Sequence, residues 1–270
     1  MLYVKPTVKE IQMNLLAEKY KITELIMQSA NGTIWGGFMP KTHRPVVIKQ
    51  FPKKSISEYH RVNGRKCPSE IYYHLKAFTI DPVTVIEPIE WFEDHCTYLI
   101  VMERPIGWID LFGFCNRFGP QTEDTARRIW TQIATAIEKL HRGGICHGDI
   151  KDENILINPH TLKVKLIDFG CAQKTKPIYS RCRGTPHYWP PEWFKFNAYR
   201  PEPLTVWSLA AILYLLLCGE WKFINGSHQR SFKKEIRLSK SAQKLLNSML
   251  CRHDTSRITL KNILKSDWLK

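Results

Sequence analysis

The 270-residue chain is 43% hydrophobic and 24% charged, an ordinary globular composition that excludes wholesale disorder. Its length suits one domain with two lobes. The 40 lysines and arginines against 25 acids give a net charge of +15, which favours polyanions such as nucleic acid, acidic lipid or acidic proteins as partners. A solvated surface without a specific partner explains the charge equally well.

Targeting and membrane signals are missing from the sequence pattern. Residues 1–6 carry no apolar signal core, and the eight cysteines form neither a C-x-x-C pair nor a zinc-spaced cluster. We therefore expect a cytoplasmic and/or nuclear protein in a reducing compartment. The longest apolar run, residues 206–218, is short for a bilayer span and predicts a buried core helix, so no membrane partner is expected.

The pattern of the first third of the chain predicts mainly strands. An Asn31-Gly32 pair predicts a hairpin between two of them, and Pro68 before Ser69-Glu70 predicts a helix start. Strands are predicted at residues 22–27, 33–35, 45–49, 83–87 and 97–102.

Beyond residue 107 the pattern becomes helical. Apolar residues at helical spacing predict a helix over 125–142 that Gly143-Gly144 ends. Residues 204–217, apolar on nearly every face, predict a central buried helix. Shorter helices are predicted at 243–250 and 260–268. A β-rich front and an α-rich rear indicate a two-lobed α+β architecture.

Residues 147–154, His-Gly-Asp-Ile-Lys-Asp-Glu-Asn, carry the clearest chemistry. Two short predicted strands, 155–158 and 163–167, would bring Asn154 and Asp168 to one end of a hairpin. An amide oxygen and a carboxylate there suit Mg²⁺, which takes its other ligands from water and phosphate. Asp149 can accept a proton from a hydroxyl group, and Lys151 can reach a transferring phosphate.

The D-x-K-x-x-N pattern of residues 149–154, followed by Asp168-Phe169-Gly170, resembles the catalytic core of eukaryotic protein kinases. The resemblance covers roughly residues 20–270. Further matches follow in the family's order: the Val46-Val47-Ile48-Lys49 run, Glu70, Gly184-Thr185, Pro190-Pro191-Glu192, Val206-Trp207-Ser208-Leu209 and Arg257.

A narrower resemblance is to the Pim family of serine/threonine kinases. It rests on Glu103-Arg104-Pro105, Asp110-Leu111-Phe112, residues 151–157 and residues 190–193. The first of these runs corresponds to the hinge that binds adenine. Because proline has no backbone N–H, adenine would be held by one hinge carbonyl, that of Glu103, and by apolar contact.

The resemblance implies a single kinase domain over 1–270, with an N-lobe of about 1–102, a hinge at 103–106 and a C-lobe of about 107–270. It implies that ATP and Mg²⁺ are bound, that the molecule is a monomer, and that protein substrates with basic, arginine-containing segments are phosphorylated.

The same resemblance implies a role for each matching residue. Lys49 would hold the α- and β-phosphates and pair with Glu70, while Asn154 and Asp168 would bind Mg²⁺. Asp149 would deprotonate the substrate hydroxyl. Lys151 would stabilise the γ-phosphate and, with Thr185, favour serine or threonine over tyrosine. Further nucleotide contacts would come from Met27, Gly32, Ile34, Val47, Glu103, Pro105, Leu156 and Ile167. Asp110 and Glu153 would receive substrate arginines, with Glu220 nearby, although residues 221–230 contain no acid.

Three departures from the family pattern bear on activity. Only Gly32 survives of the glycine-rich loop at 27–32, which predicts weakened ATP binding. Gly148 replaces an arginine that commonly grips a phosphorylated activation loop, so we expect activity without that phosphorylation, although Thr175, Tyr179 and Ser180 are candidate phosphosites. Thr205 replaces an aspartate that usually ties down the catalytic loop.

Two alternatives to an active kinase remain at this stage. A pseudokinase would use the same fold to hold a partner, and the degenerate glycine loop favours it. The six intact residues favour an enzyme: Lys49, Glu70, Asp149, Lys151, Asn154 and Asp168. A nucleic-acid-associated or chromatin-associated protein, in which the positive charge dominates, is the second alternative and is compatible with catalysis.

Overall fold

The computed structural model describes residues 16–29, 32–181, 183–220 and 237–270, and the backbone at 223–224 and 227–228. These residues form two compact units. The first comprises the chain up to Phe78 with Ile86–Ile106, and the second comprises Thr79–Val85 with Gly107–Lys270. The first is rich in strands and the second in helices, which confirms the α+β, two-lobed fold class.

The first unit is built on an antiparallel five-stranded sheet with order β1-β2-β3-β7-β6. Its strands are β1 Lys21–Ser29, β2 Gly32–Phe38, β3 Pro45–Pro52, β6 Pro88–Glu93 and β7 Thr97–Glu103. Alternation along β7 gives the sheet two apolar faces: Leu99 and Val101 join one buried cluster, Tyr98 and Ile100 the other. Helix α1, Ser69–Ile80, places Ile71 in the second cluster.

Of the five strands predicted before residue 107, four are confirmed and the one at 83–87 is wrong. The Asp81 carboxylate accepts the backbone N–H groups of Val83 and Thr84 and so bends the chain into a turn. Val83 is 77% exposed, and only an isolated bridge joins Val85 to Leu166. The predicted hairpin turn at 31–32 falls partly outside the described residues, because Asn31 is not among them, but Ser29 pairs with Gly32 on its two sides.

A second hairpin, β4 Tyr59–Val62 with β5 Arg65–Pro68, was not predicted. Its turn residues, Asn63 and Gly64, have φ values of 49° and 77°, the conformation that Asn-Gly turns favour. The same dipeptide signal was present in the sequence at this point.

The second unit combines helices with short strands. The strands are β8 Ile109–Asp110, β9 Ile145–Cys146, β10 Ile155–Ile157, β11 Val164–Leu166, β12 Gln173–Lys174, β13 Phe223–Ile224 and β14 Ser227–His228. The helices are α2 Leu111–Phe118, α3 Glu123–Arg142, α4 Pro191–Phe196, α5 Pro201–Cys218, α6 Lys240–Met249 and α7 Leu260–Ile263. The helix predicted at 260–268 is divided, since α7 ends at Ile263 and a short 3₁₀ helix follows at Asp267–Leu269.

Helix α5 forms the centre of the second unit. It extends the predicted apolar run to 18 residues, a length and composition that could cross a membrane, but 89% of it is buried inside the protein. The indole of Trp130 on α3 donates to the carbonyl oxygen of Leu209 at 2.9 Å and joins the two helices. This burial supports the predicted role of α5 as a core helix.

Candidate active site

The loop between β9 and β10 is anchored by His147, which is 1% exposed. Its Nε2 bonds the carbonyl oxygen of Ile167 at 3.1 Å, and its ring lies 4.9 Å from that of Phe169, which is also buried. Burial lowers the pKa of His147, so the ring is neutral and can donate from Nε2 while Nδ1 faces the Asp149 N–H at 3.4 Å. A neutral, fixed ring thus joins the catalytic loop to the strand that leads to Asp168.

The Asp149 carboxylate is held from several directions. Its Oδ1 accepts the backbone N–H of Thr185 at 2.8 Å, and its Oδ2 accepts from the Asn154 side chain at 3.1 Å. The Nζ of Lys151 lies 3.5 Å from Oδ2 and donates to the Thr185 hydroxyl at 3.0 Å. The structure therefore brings Asp149, Lys151, Asn154 and Thr185 together around one oriented carboxylate.

Lys151 remains charged although its side chain is largely buried. Burial lowers its pKa, but the hydrogen bond to Glu153 at 2.9 Å and the charge of Asp149 outweigh burial and raise the pKa overall. A permanent cation beside an oriented carboxylate can neutralise a phosphate while the carboxylate accepts a proton.

Asn154 and Asp168 meet at the end of the β10–β11 hairpin. Ile155 pairs with Leu166, and the Ile167 N–H donates to the Asn154 carbonyl at 3.0 Å. The Asn154 amide nitrogen is used by Asp149, donating to its backbone oxygen at 2.8 Å, so the amide oxygen is the atom available as a ligand. Among the described residues no group of three or more His, Cys, Asp or Glu could hold a metal. A pair of oxygen donors fits Mg²⁺, which keeps water and phosphate in its remaining positions.

Gly148 and Gly184 allow close backbone approach around Asp149. Gly148 has φ 80°, and a Cβ there would lie 2.5 Å from the Cys171 carbonyl oxygen. Gly184 has φ 87°, and a Cβ there would lie 2.7 Å from Asp149 Oδ1. An arginine at 148, as in the family pattern, would therefore clash with this backbone.

Thr205 occupies the position of the missing aspartate and is 1% exposed. Its hydroxyl donates to the Pro201 carbonyl at 2.8 Å and accepts from His141 Nε2 at 3.0 Å, and the Cys146 thiol lies 3.8 Å away. Burial lowers the pKa of His141 to about 4, which keeps it neutral. A neutral network thus replaces a charged anchor beneath the catalytic loop.

In the first unit, Lys49 on β3 pairs with Glu70 in the first turn of α1 at 2.6 Å, with both side chains 17% exposed. Met27 is opposite Ile34, and Ile34 is opposite Lys49, so strand pairing gathers these predicted nucleotide contacts beside the ion pair. Val47 lies on the same strand as Lys49.

Gly32 has a structural role that the sequence reading did not include. A Cβ at residue 32 would lie 2.3 Å from the Gln50 carbonyl oxygen, so a glycine is needed where β2 approaches β3. The presence of Gly32 is therefore explained by sheet packing without any phosphate contact.

The hinge residues use their backbone donors inside the first unit. The Glu103 N–H donates to the Glu87 carbonyl at 3.0 Å, and the Arg104 N–H donates to the Pro45 carbonyl at 3.3 Å. Pro105 has no N–H. Carbonyl oxygens are thus the polar backbone groups that residues 103–105 offer to a ligand.

The remaining predicted contacts belong to the second unit. Leu156 and Ile167 are half-buried, and Leu156 pairs with Asp110 of β8. Asp110 caps α2 by accepting the Gly113 N–H at 2.6 Å, whereas the Glu153 side chain is 60% exposed. The side chains of residues 221–230 lie outside the described residues.

Two further polar contacts support the site, and one of them the sequence did not indicate. The buried Asp152 accepts from the Tyr188 hydroxyl at 2.8 Å, a contact with no local sequence signal because 36 residues separate the partners. Arg257 and Glu192, which both match the family pattern, form an ion pair with two contacts at 2.8 and 2.9 Å.

Comparison with known proteins gives a consistent family. The family model described as "Protein kinase domain" matches residues 20–269. Serine/threonine-protein kinase pim-2 of Danio rerio is 34% identical over 266 residues, covering 93% of this chain and 85% of the relative. Serine/threonine-protein kinase prk-2 of Caenorhabditis elegans is 32% identical over 260 residues, covering 94% and 58%. Serine/threonine-protein kinase 1 of African swine fever virus is 26% identical over 271 residues, covering 98% and 86%.

Proposed function

Since the chain belongs to the protein kinase family and is an ATP-binding serine/threonine kinase, we propose that it phosphorylates serine and threonine in basic, arginine-containing protein segments. The observation that carries the proposal is the fixed carboxylate of Asp149, which Thr185 and Asn154 orient beside the Lys151 cation. Positioning and charge neutralisation are what phosphoryl transfer requires of a protein.

Each residue then has a definite task. Asp149 accepts the proton of the substrate hydroxyl, and Lys151 neutralises charge on the transferring phosphate. Lys49, fixed by Glu70, contacts the other phosphates. Protein kinases use ATP with a divalent metal, and Mg²⁺ held by Asn154 and Asp168 would supply further charge neutralisation. The Glu103 carbonyl receives the adenine amino group because residues 103–105 donate elsewhere or lack a donor.

We test transfer from Mg·ATP to an arginine-rich serine peptide and to a mixed peptide library. Wild type is compared with Asp168→Ala and Lys49→Met, which remove a metal ligand and a phosphate contact. We expect transfer by the wild type and a loss of at least about a thousandfold in each variant, since such groups contribute several kcal/mol to the transition state. Transfer that survives in both variants, or no transfer by the wild type, would contradict the proposal.

Activity without activation-loop phosphorylation is the second part of the proposal. The loop makes protein contacts of its own: Tyr179 and Tyr199 exchange backbone hydrogen bonds at 2.8 and 3.0 Å, and β12 pairs with β9. The Tyr179 hydroxyl also donates to the Lys174 carbonyl. These contacts order the segment without a phosphate bound by an arginine at position 148, where this chain has Gly148.

Phosphatase-treated protein and a Thr175→Ala/Ser180→Ala variant test this point. We expect both to keep activity within about threefold of untreated wild type, because neither side chain supplies the contacts above. Mass spectrometry of the treated protein verifies that no phosphate remains. A tenfold or greater loss of activity that is reversed when the loop is phosphorylated again would show that the loop is a switch.

Preference for upstream arginine is supported by the exposed Glu153 and by Asp110 at the start of α2. Opposing it are the overall charge of +15 and the basic residues Lys174, Lys176 and Arg181 in the activation loop. The peptide library decides the point: arginine enrichment on the N-terminal side of the target is expected, and it should diminish in Glu153→Gln.

A further inference from the structure

The β4–β5 hairpin concentrates positive charge that phosphoryl transfer does not use. Residues 53–66 contain five cations and one acid: Lys53, Lys54, Arg61, Arg65 and Lys66 against Glu58. Arg61 and Lys66 are both exposed and lie directly opposite each other across the two strands. Like charges in such a cross-strand pair destabilise it, and a bound anion relieves the repulsion.

Three neighbouring rings, which we call the aromatic platform, fix the positions of three of these charges, those of Lys53, Arg65 and Lys66. The platform consists of Tyr59, Trp91 and Tyr98, and the Tyr98 ring lies 6.3 Å from Tyr59 and 6.2 Å from Trp91. Each ring carries a cation: Lys66 at 4.2 Å from Tyr59, Arg65 at 3.8 Å from Trp91 and Lys53 at 5.0 Å from Tyr98. Cation–π contacts therefore hold the charges in place before any ligand arrives.

The three outer cations differ from Lys53, which pairs with Glu93. Within the part of the chain that the structure describes, Arg61, Arg65 and Lys66 have no carboxylate partner. Arg65 is exposed, so one face of its guanidinium covers Trp91 while the other faces solvent. A stacked guanidinium plane is a surface on which an unpaired base can stack.

We propose that the hairpin and the aromatic platform bind single-stranded nucleic acid. Arg61 and Lys66 on one face of the hairpin and Arg65 on the other face each contact a phosphate, and a base stacks on the Arg65 guanidinium. The planar stack favours nucleic acid over an acidic polypeptide, whose carboxylates gain only from the charges. Binding is independent of base sequence because base stacking and phosphate contacts do not read base edges.

The test measures fluorescence anisotropy of a labelled 20-nucleotide oligouridylate with the full chain between 50 and 200 mM NaCl. The hairpin variant is Arg61→Ser/Arg65→Ser/Lys66→Ser. The matched control, Lys240→Ser/Lys244→Ser/Lys261→Ser, removes the same charge from exposed positions of the second unit. We expect the hairpin variant to bind at least about tenfold more weakly, with a log–log salt slope shallower by about 2, corresponding to three lost phosphate contacts. The control should stay within about threefold of wild type.

Arg65→Lys separates stacking from charge and perturbs the fold least. We expect it to bind about three- to tenfold more weakly with an unchanged salt slope. Three outcomes would overturn the proposal. These are wild-type affinity in Arg65→Lys, equal losses of affinity in the two triple variants, and no binding by the wild type at 50 mM NaCl. Polyglutamate of matched charge that binds as tightly, with the same dependence on the hairpin, would overturn it in favour of an acidic protein. Peptide phosphorylation by each variant reports that the fold is intact.

Discussion

At the scale of single residues, Gly148 determines how closely the chain passes around Asp149. Gly148→Ala adds a Cβ 2.5 Å from the Cys171 carbonyl oxygen at a φ of 80°. Gly64 has a similar φ of 77° with nothing within 4 Å of such a Cβ, so Gly64→Ala is the matched control. We expect Gly64→Ala to cost about 1 kcal/mol of unfolding free energy and Gly148→Ala about 1–3 kcal/mol more. Urea unfolding measures both, and equal costs would show that the Cys171 contact relaxes freely.

His141 should make stability depend on pH. Burial lowers its folded-state pKa to about 4, below the ordinary value of 6.5, so the unfolded chain binds more protons between these values. The contribution of His141 to the free energy of unfolding is therefore fully present above pH 6.5 and decreases as the pH is lowered. The loss between pH 7 and pH 5 is about 2 kcal/mol for this group.

The measurement is urea unfolding of wild type and His141→Gln at pH 7 and pH 5. Glutamine keeps a donor for the Thr205 hydroxyl but does not titrate, so the variant should lose less stability than the wild type over this range. Parallel losses in the two proteins would contradict the assignment, since every titratable group other than His141 is the same in both.

At the scale of elements, the pair of Arg257 and Glu192 joins α4 to the segment before α7. The Arg257 side chain is fully buried and that of Glu192 is 5% exposed. Arg257→Ala should cost about 3–5 kcal/mol because it leaves the Glu192 charge buried and unpaired. Arg257→Met/Glu192→Leu should cost less than the single change. Lys270→Ala, which removes an exposed i,i+3 pair with Asp267, should cost less than about 0.5 kcal/mol. A double variant less stable than Arg257→Ala would contradict this account.

The elements predicted from sequence are those whose own residues specify them. Residues 45–49 and 97–102 are β-branched and apolar runs; burial alternates along the first, and residues 98–101 of the second are all buried. The buried face of α3 follows its helical spacing. The prediction of a strand at 83–87 was wrong because the Asp81 side chain bends the backbone into a turn. A hydrophobic pattern contains no information about such a side-chain hydrogen bond. The β4–β5 hairpin was missed because its strands have only four residues each and a largely polar outer face.

The candidate site was predictable to the same extent. Motif order placed Asp149, Lys151, Asn154 and Asp168 together because a short hairpin connects the loop to Asp168. The Thr185 N–H that orients Asp149 lies 36 residues away, and the positive φ of Gly148 is a property of the folded backbone. From the sequence, Gly148 was interpreted only as the loss of the family's arginine. In the structure, its backbone conformation and its close contact with Cys171 require a glycine.

At the scale of the whole molecule, the net charge is unevenly distributed. Residues 237–270 carry eight cations and two acids, and both acids are paired, Asp254 with Arg200 and Asp267 with Lys270. Residues 86–106 instead carry five acids and one arginine. The sequence therefore predicts the sign of the long-range field, and the fold determines where a particular anion is held.

That field should oppose the encounter with basic substrates even where the site itself accepts arginine. Repulsion between charges of like sign acts over long distances, but salt at 0.1 M screens it beyond about 10 Å. Contacts at Glu153 act at shorter range and are screened less. We expect kcat/KM for an arginine-rich serine peptide to rise about two- to fivefold between 20 and 200 mM NaCl. The same peptide with glutamate in place of arginine should show the opposite slope, and a neutral peptide should show almost none. Steady-state assays at constant Mg·ATP give the three slopes. A falling kcat/KM for the basic peptide would mean that local acidic groups, and not the charge of +15, govern its approach.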